Sequence, residues 1–217
     1  MTDAPTGTAA PFAVWSNDAD ARPGTPLLVL LHGYGSHERD LMGIVPALPA
    51  EFSVASLRAP QPIQSGYQWF PLSGDLGFSL ERVVEAVEPV AAWLRERAAE
   101  HSGVTLLGFS QGMAMATSLA RHMPGEIDAV VGLSGFVVPG EHPLFADERL
   151  RERRLPVFWG RDPQDPVIPP ALVDSTAEWL LAHADVMKVQ YTGVGHGVSP
   201  QEVGHVAEYL RQVVLRG

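Results

Sequence analysis

Apolar residues follow two rhythms along this chain. Short unbroken apolar runs, each closed by glycine or a small polar residue, alternate with stretches in which apolar positions recur every three or four residues. The first rhythm marks strands buried on both faces and the second marks amphipathic helices. Leu27 to Leu31, Phe52 to Leu57, Val104 to Phe109, Ala129 to Leu133, Pro156 to Trp159 and Met187 to Tyr191 belong to the first kind, with Phe12 to Trp15 as an added edge strand. Leu80, Val83, Val84, Val87, Ala91 and Leu94 make one helical stripe, which Pro89 is expected to kink. Further helices are expected from Asp40 to Val45, stopped by Pro46, from Gly112 to about His122, and from Ala171 to Ala182. A last helix opens with Ser199-Pro200-Gln201-Glu202, a capping box with proline at the first helical position. Residues Gln61 to Gly77 read as a long loop carrying Trp69-Phe70-Pro71, and Asp147 to Arg154 as a charged segment. Strands alternating with helices predict an α/β fold, with a mostly parallel central sheet and helices on both faces.

The chain length, 217 residues, suits a single domain over 1–217, with residues 1–11 a loose lead-in rich in Ala, Thr and Pro. Hydrophobic residues at 46% and charged residues at 18% place it among globular proteins. A formal net charge of −10, with Lys188 the only lysine, argues against nucleic acid and anionic membranes as partners, since phosphate binding needs clustered Lys and Arg. The absence of cysteine removes disulfides, thiolate metal sites and a cysteine nucleophile. No basic, apolar leader precedes Arg22, and the longest aliphatic run, Leu27 to Leu31, is far too short to span a bilayer, so a cytoplasmic location is expected.

Within this pattern one stretch carries chemistry. In Gly108-Phe-Ser110-Gln-Gly112 a strand stops, a serine is presented, and a helix begins. A serine on so tight a turn sits in a strained backbone conformation, and glycine two residues to either side removes the collisions. The N–H of Gln111, at the start of the helix, would point at an oxyanion formed there. A serine hydroxyl needs a base, and the base needs a third group to hold its tautomer. The glycine-rich segments around Gly33, Asp165 and His196 also follow predicted strands, so they should meet Ser110 at one sheet edge.

Of the eight histidines, His101, His122 and His183 lie near helix ends, His37 and His142 in loops, and His205 inside a helix. His32 reads as a loop brace. His196, between two glycines after the final strand, has little packing reason to be there and is the expected base. The acid is Asp165 or Asp162, which share one loop; the apolar Val167-Ile168 after Asp165 would wall off a buried carboxylate and favours it. Tyr34, after His32-Gly33, offers the second oxyanion N–H.

Leu31-His-Gly-Tyr-Gly, Arg58-Ala-Pro, Trp69-Phe70, Gly108-Phe-Ser-Gln-Gly, Asp165-Pro-Val-Ile-Pro and Gly195-His-Gly-Val-Ser-Pro together resemble the phospholipase/carboxylesterase family, small α/β-hydrolases with little or no lid. The resemblance implies Ser110, Asp165 and His196 as catalytic residues and Tyr34 and Gln111 as oxyanion donors; no cofactor or metal is expected. The chain departs from the family's usual residues at Tyr34, Met113 and Pro71, each able to reshape an acyl pocket. That pocket is expected to be lined by Trp69, Phe70, Leu72, Met113, Phe136, Val137, Ile168 and Val198, a mostly apolar set suited to an acyl chain or aromatic group. The expected reaction is hydrolysis of small-molecule esters with short- to medium-chain acyl or aryl groups. An acyl-thioesterase or lysophospholipase would use the same groups, and a non-catalytic ligand-binding protein of the same fold is the alternative from another class. Oligomeric state, a homodimer included, is left open by the sequence.

Overall fold

The computed structural model describes residues 10–74 and 76–216, so the lead-in expected over residues 1–11 lies almost wholly outside the described residues. Seven strands form one sheet: β1 (Ala13–Trp15), β2 (Leu27–Leu31), β3 (Ser53–Leu57), β6 (Val104–Phe109), β7 (Ala129–Leu133), β8 (Leu155–Arg161) and β9 (Ala184–Gln190), in the spatial order β1-β3-β2-β6-β7-β8-β9. Only β1 runs antiparallel, against β3; every other pairing is parallel. From β2 the chain moves outward to β3, then returns to β6 on the other side of β2 and proceeds to β9. The order therefore reverses between β2 and β6, where open α/β sheets bind ligands beyond their C-terminal ends.

Continuous apolar runs supply side chains to both faces, and both are covered. Leu27, Val29, Leu31, Leu106, Val130 and Trp159 face α1 (Leu80–Ala98), α2 (Gln111–His122), α3 (Asp147–Arg153) and α4 (Pro170–His183). Leu28, Leu30, Leu107, Val131 and Phe158 face α5 (Pro200–Tyr209) and a 3₁₀ segment, Leu41–Ala47. Burial of these side chains is the dominant favourable term holding the layers together.

Three expectations are corrected. The helix expected from Asp40 to Val45 is 3₁₀, displaced to Leu41–Ala47 with Pro46 inside it rather than ending it, because a short 3₁₀ run has few bonds to lose to a missing N–H. The loop from Gln61 to Gly77 contains a hairpin, β4 (Gln61–Ile63) and β5 (Gly66–Gln68). β9 begins directly after α4 rather than at Met187.

Candidate active site

Ser110 lies between β6 and α2 at φ 54° and ψ −116°, outside the regions a serine ordinarily occupies. Its N–H donates to the Leu133 carbonyl at 2.9 Å, tying the turn to β7. A β-carbon on Gly108 would come within 2.2 Å of the Gly112 carbonyl carbon, so the tight turn requires glycine on its strand side. Such strain persists only where the surroundings enforce it.

The Ser110 hydroxyl is 3.0 Å from His196 Nε2, and His196 Nδ1 is 2.8 Å from Asp165 Oδ2. With Nδ1 donating to the carboxylate, Nε2 is left as the acceptor for the serine proton. The Asp165 side chain is fully shielded from solvent, whereas that of His196 is 18% exposed. Asp165 Oδ1 accepts from the Val167 N–H at 2.8 Å and the Ile168 N–H at 3.4 Å, which fixes the carboxylate from its far side. Asp162, the other acid weighed from the sequence, does not touch His196. Its carboxylate accepts instead from the backbone N–H groups of Val194, Gly195 and Gln164, which hold its pKa below the ordinary range.

Ser110, Gln111, Gly33, Tyr34 and His196 share a cavity of about 220 Å³ with Leu72, Leu76, Phe109, Phe136 and Val167. Gln111 opens α2, so its N–H has no partner within the helix. The loop bearing Tyr34 is braced from several sides. The buried His32 ring donates from Nδ1 to the Gly33 carbonyl at 2.8 Å and accepts at Nε2 from the Ala59 N–H at 3.1 Å; burial pushes its pKa down, favouring this neutral form. Gly35 and Ser36 exchange backbone hydrogen bonds with Tyr67 of β5, which explains the hairpin's position. Glu38 is paired with Arg58 through two contacts of 2.7 Å, and the guanidinium holds its carboxyl at a pKa of about 2.

Among the apolar residues expected to line the pocket, Phe136 and Leu72 do so. Trp69, Phe70, Met113, Val137 and Ile168 are buried in the core cluster beneath the cavity, and Val198 packs on the opposite side of the sheet with the α5 cluster. Met113 fills the space over Gly132 and Gly135, where no β-carbon would fit. Gln111, read from the sequence as acting through its backbone alone, also has a structural side chain. Its Oε1 accepts from the Trp69 N–H at 3.0 Å and its Nε2 donates to the Phe70 carbonyl at 2.8 Å. Sequence reasoning also missed Ser134, which has φ 45° and donates from Oγ to the Gly197 carbonyl at 2.9 Å; its position in a Ser-Gly pair directly after a strand was the available signal.

The sequence profile described as Phospholipase/Carboxylesterase matches residues 16–214. Acyl-protein thioesterase 1 of Saccharomyces cerevisiae is 28% identical over 109 residues, 48% of this chain and 47% of the yeast protein, so that match takes in about half of the relative. Esterase YpfH of Escherichia coli (strain K12) is 25% identical over 215 residues, 94% of this chain and 88% of that protein. The crystal structure of the Bacillus cereus carboxylesterase superposes with a TM-score of 0.79 at 23% identity, covering 94% of this chain and 95% of the other, a likeness of fold. With a sheet of this order and a profile match that spans nearly its whole length, the chain belongs to the phospholipase/carboxylesterase family of α/β-hydrolases.

Proposed function

We propose that this protein is a serine esterase that hydrolyses small carboxylic esters with short- to medium-chain acyl or aryl groups. The observation that carries the reading is the chain of two hydrogen bonds from Ser110 through His196 to Asp165, opening on a mostly apolar cavity that Tyr34 and Gln111 help to line. Ser110 Oγ attacks the ester carbonyl carbon as His196 Nε2 takes its proton. Asp165 keeps the imidazole oriented and stabilises the imidazolium. The negative charge forming on the carbonyl oxygen is met by the N–H groups of Tyr34 and Gln111, each worth on the order of 10²- to 10³-fold in rate. His196 then gives its proton to the departing alkoxide, and water, activated by the same ring, releases the acid from the acyl-enzyme. Apart from the ester and the water, these steps use only groups of the chain, acting as one domain, in our reading in the cytoplasm.

The cavity, at about 220 Å³, lies below the roughly 300–1,000 Å³ usual for ligand pockets, which supports a small acyl group with the alcohol portion left toward solvent. Thioesters pass through the same oxyanion, so an acyl thioester belongs in the same assay. A fluorophosphonate probe is expected to label Ser110, and Ser110→Ala to lower turnover of aryl esters by at least about 10³-fold. Absence of labelling, or undiminished turnover in the variant, would leave a non-catalytic binding protein as the better reading.

A further inference from the structure

We propose that Asp162 is a positioning residue, holding the loop that carries His196 so that the imidazole can span Ser110 and Asp165. The proposal rests on His196 being the base.

The segment after β9 that presents His196 has no regular secondary structure before α5. Gly193 and Gly195 both take positive φ, 82° and 64°, so two of the residues leading into His196 are the kind that restrict a free chain least. Something outside the loop must therefore select one conformation. Asp162 is 2% exposed and points a single oxygen, Oδ2, at two successive backbone donors of that loop, the N–H groups of Val194 and Gly195, each at 2.7 Å. Successive N–H groups converging on one anion form a nest, a strong and directional backbone site. The second oxygen, Oδ1, accepts from the Gln164 N–H at 2.8 Å and anchors the carboxylate in its own loop. At the base of the two segments the Tyr191 N–H donates to the Arg161 carbonyl at 3.0 Å.

On the other side of His196 the Gly197 carbonyl accepts from Ser134 Oγ, and Ser134 in turn donates its N–H to the Gly160 carbonyl at 2.8 Å. The base is thus bracketed by backbone anchors at residues 194–195 and 197. Two aspartates three positions apart divide the work. Asp165 holds the ring, and Asp162 holds the backbone from which the ring extends. Asparagine could reproduce only part of this. If its oxygen faced Val194 and Gly195, its NH₂ group would face the Gln164 N–H, donor against donor.

The test compares wild type, Asp162→Asn and Asp162→Ala by steady-state kinetics on one aryl ester, by amide hydrogen exchange across residues 191–199, and by the rate of fluorophosphonate labelling. A misplacement of about 1 Å can cost about 10²-fold in rate. Asp162→Ala is therefore expected to lower kcat and the labelling rate by about that factor, to leave KM within about twofold, and to speed exchange at Val194 and Gly195. Asp162→Asn should fall between, and because it preserves size it carries the test should the alanine variant not fold. Unchanged kcat with unchanged loop exchange would overturn the proposal. So would a loss confined to KM, or a loss of kcat with the loop as protected as before. If wild type neither turns over esters nor labels at Ser110, the esterase reading fails separately; faster exchange in the variants then still supports the anchor, and unchanged exchange still overturns it.

Discussion

Gly112 is in backbone contact with Leu31: a β-carbon added to the glycine would lie 1.8 Å from the Leu31 carbonyl oxygen and 2.9 Å from that of His32. The first turn of α2 is thereby pressed onto the end of β2. The Gln111 N–H opens α2, and Tyr34 lies on the loop that directly follows β2. The main-chain contact therefore fixes where α2 starts relative to the chain leading into the Tyr34 loop, and with it part of the spacing between the two proposed oxyanion donors.

Gly112→Ala should force α2 away from β2. Overpacking usually costs about 1–3 kcal/mol, and here the obstacle is backbone on both sides, so a loss near about 3 kcal/mol is expected. Fluorophosphonate labelling of Ser110 should fall along with it. Chemical denaturation measures the first and probe kinetics the second. A variant of parental stability that labels normally would show that α2 can shift without disturbing the site.

The Gln111 side chain makes a separable prediction. Its amide satisfies two buried backbone groups, the Trp69 N–H and the Phe70 carbonyl, and the Trp69 indole N–H donates to the His32 carbonyl at 2.9 Å. Gln111→Ala leaves both backbone groups unpaired, at about 1–3 kcal/mol each, while the Gln111 N–H itself is retained. A drop of several kcal/mol in unfolding free energy is expected, with a smaller proportional loss of kcat at a temperature where the variant remains folded. Loss of kcat without loss of stability would instead place the amide in the chemistry.

Much of this arrangement was legible in the chain because the physics leaves a local trace. Strands buried on both faces, such as Leu27–Leu31, print as unbroken apolar runs, and an elbow needs glycine where a β-carbon would collide. Convergence of Ser110, Asp165 and His196 followed from strand ends meeting at one edge of a parallel sheet. Depth was not legible. Trp69 and Phe70 follow a loop and Met113 follows the elbow, and all three are apolar, which holds equally for a pocket wall and for the core beneath it. The β4–β5 hairpin was hidden for another reason: its strands are three residues each, and its position comes from Gly35 and Ser36, distant in sequence. Asp162 and Asp165 each precede proline, and only the tertiary structure shows that one meets backbone N–H groups and the other the imidazole.

Acyl-length preference should respond to Leu72, which lines the cavity with partial exposure. Leu72→Ala enlarges the space near Ser110 without opening the fully buried core. One methylene in an apolar pocket is worth about 1–3 kcal/mol. A series of aryl esters should therefore shift toward longer acyl chains, with kcat/KM for a chain two or three carbons beyond the parental optimum rising about 10-fold relative to acetate. An unchanged profile would mean that the acyl group lies elsewhere in the cavity.

Glu202 gives a pH-dependent prediction that lies apart from the chemistry. It is 1% exposed in the first turn of α5, and its Oε1 has no hydrogen-bond partner among the described residues. A β-carbon on Gly160 would come within 2.1 Å of that oxygen, so the carboxyl is packed directly against β8. Burial pushes its pKa from 4.5 up to about 7, opposed only in part by the Ser199 backbone. Below about pH 4.5 the group is protonated whether the chain is folded or not. Between there and about pH 7 the unfolded chain has released the proton while the folded chain keeps it, so stability falls as pH rises; above that range the contribution is constant. The accumulated loss is on the order of 3 kcal/mol. His32, whose pKa burial lowers, works in the opposite sense over part of the same range, which makes the parent's own pH profile a sum of both. The difference between the parent and Glu202→Gln removes the His32 contribution, since it is common to the two. That difference should be small or unfavourable to the variant at pH 4.5 and should move in the variant's favour by a few kcal/mol at pH 8, as measured by urea denaturation at each pH. A difference that stays constant with pH would mean that Glu202 ionises normally in the folded protein, and a shift in the opposite direction would mean that its charge is compensated.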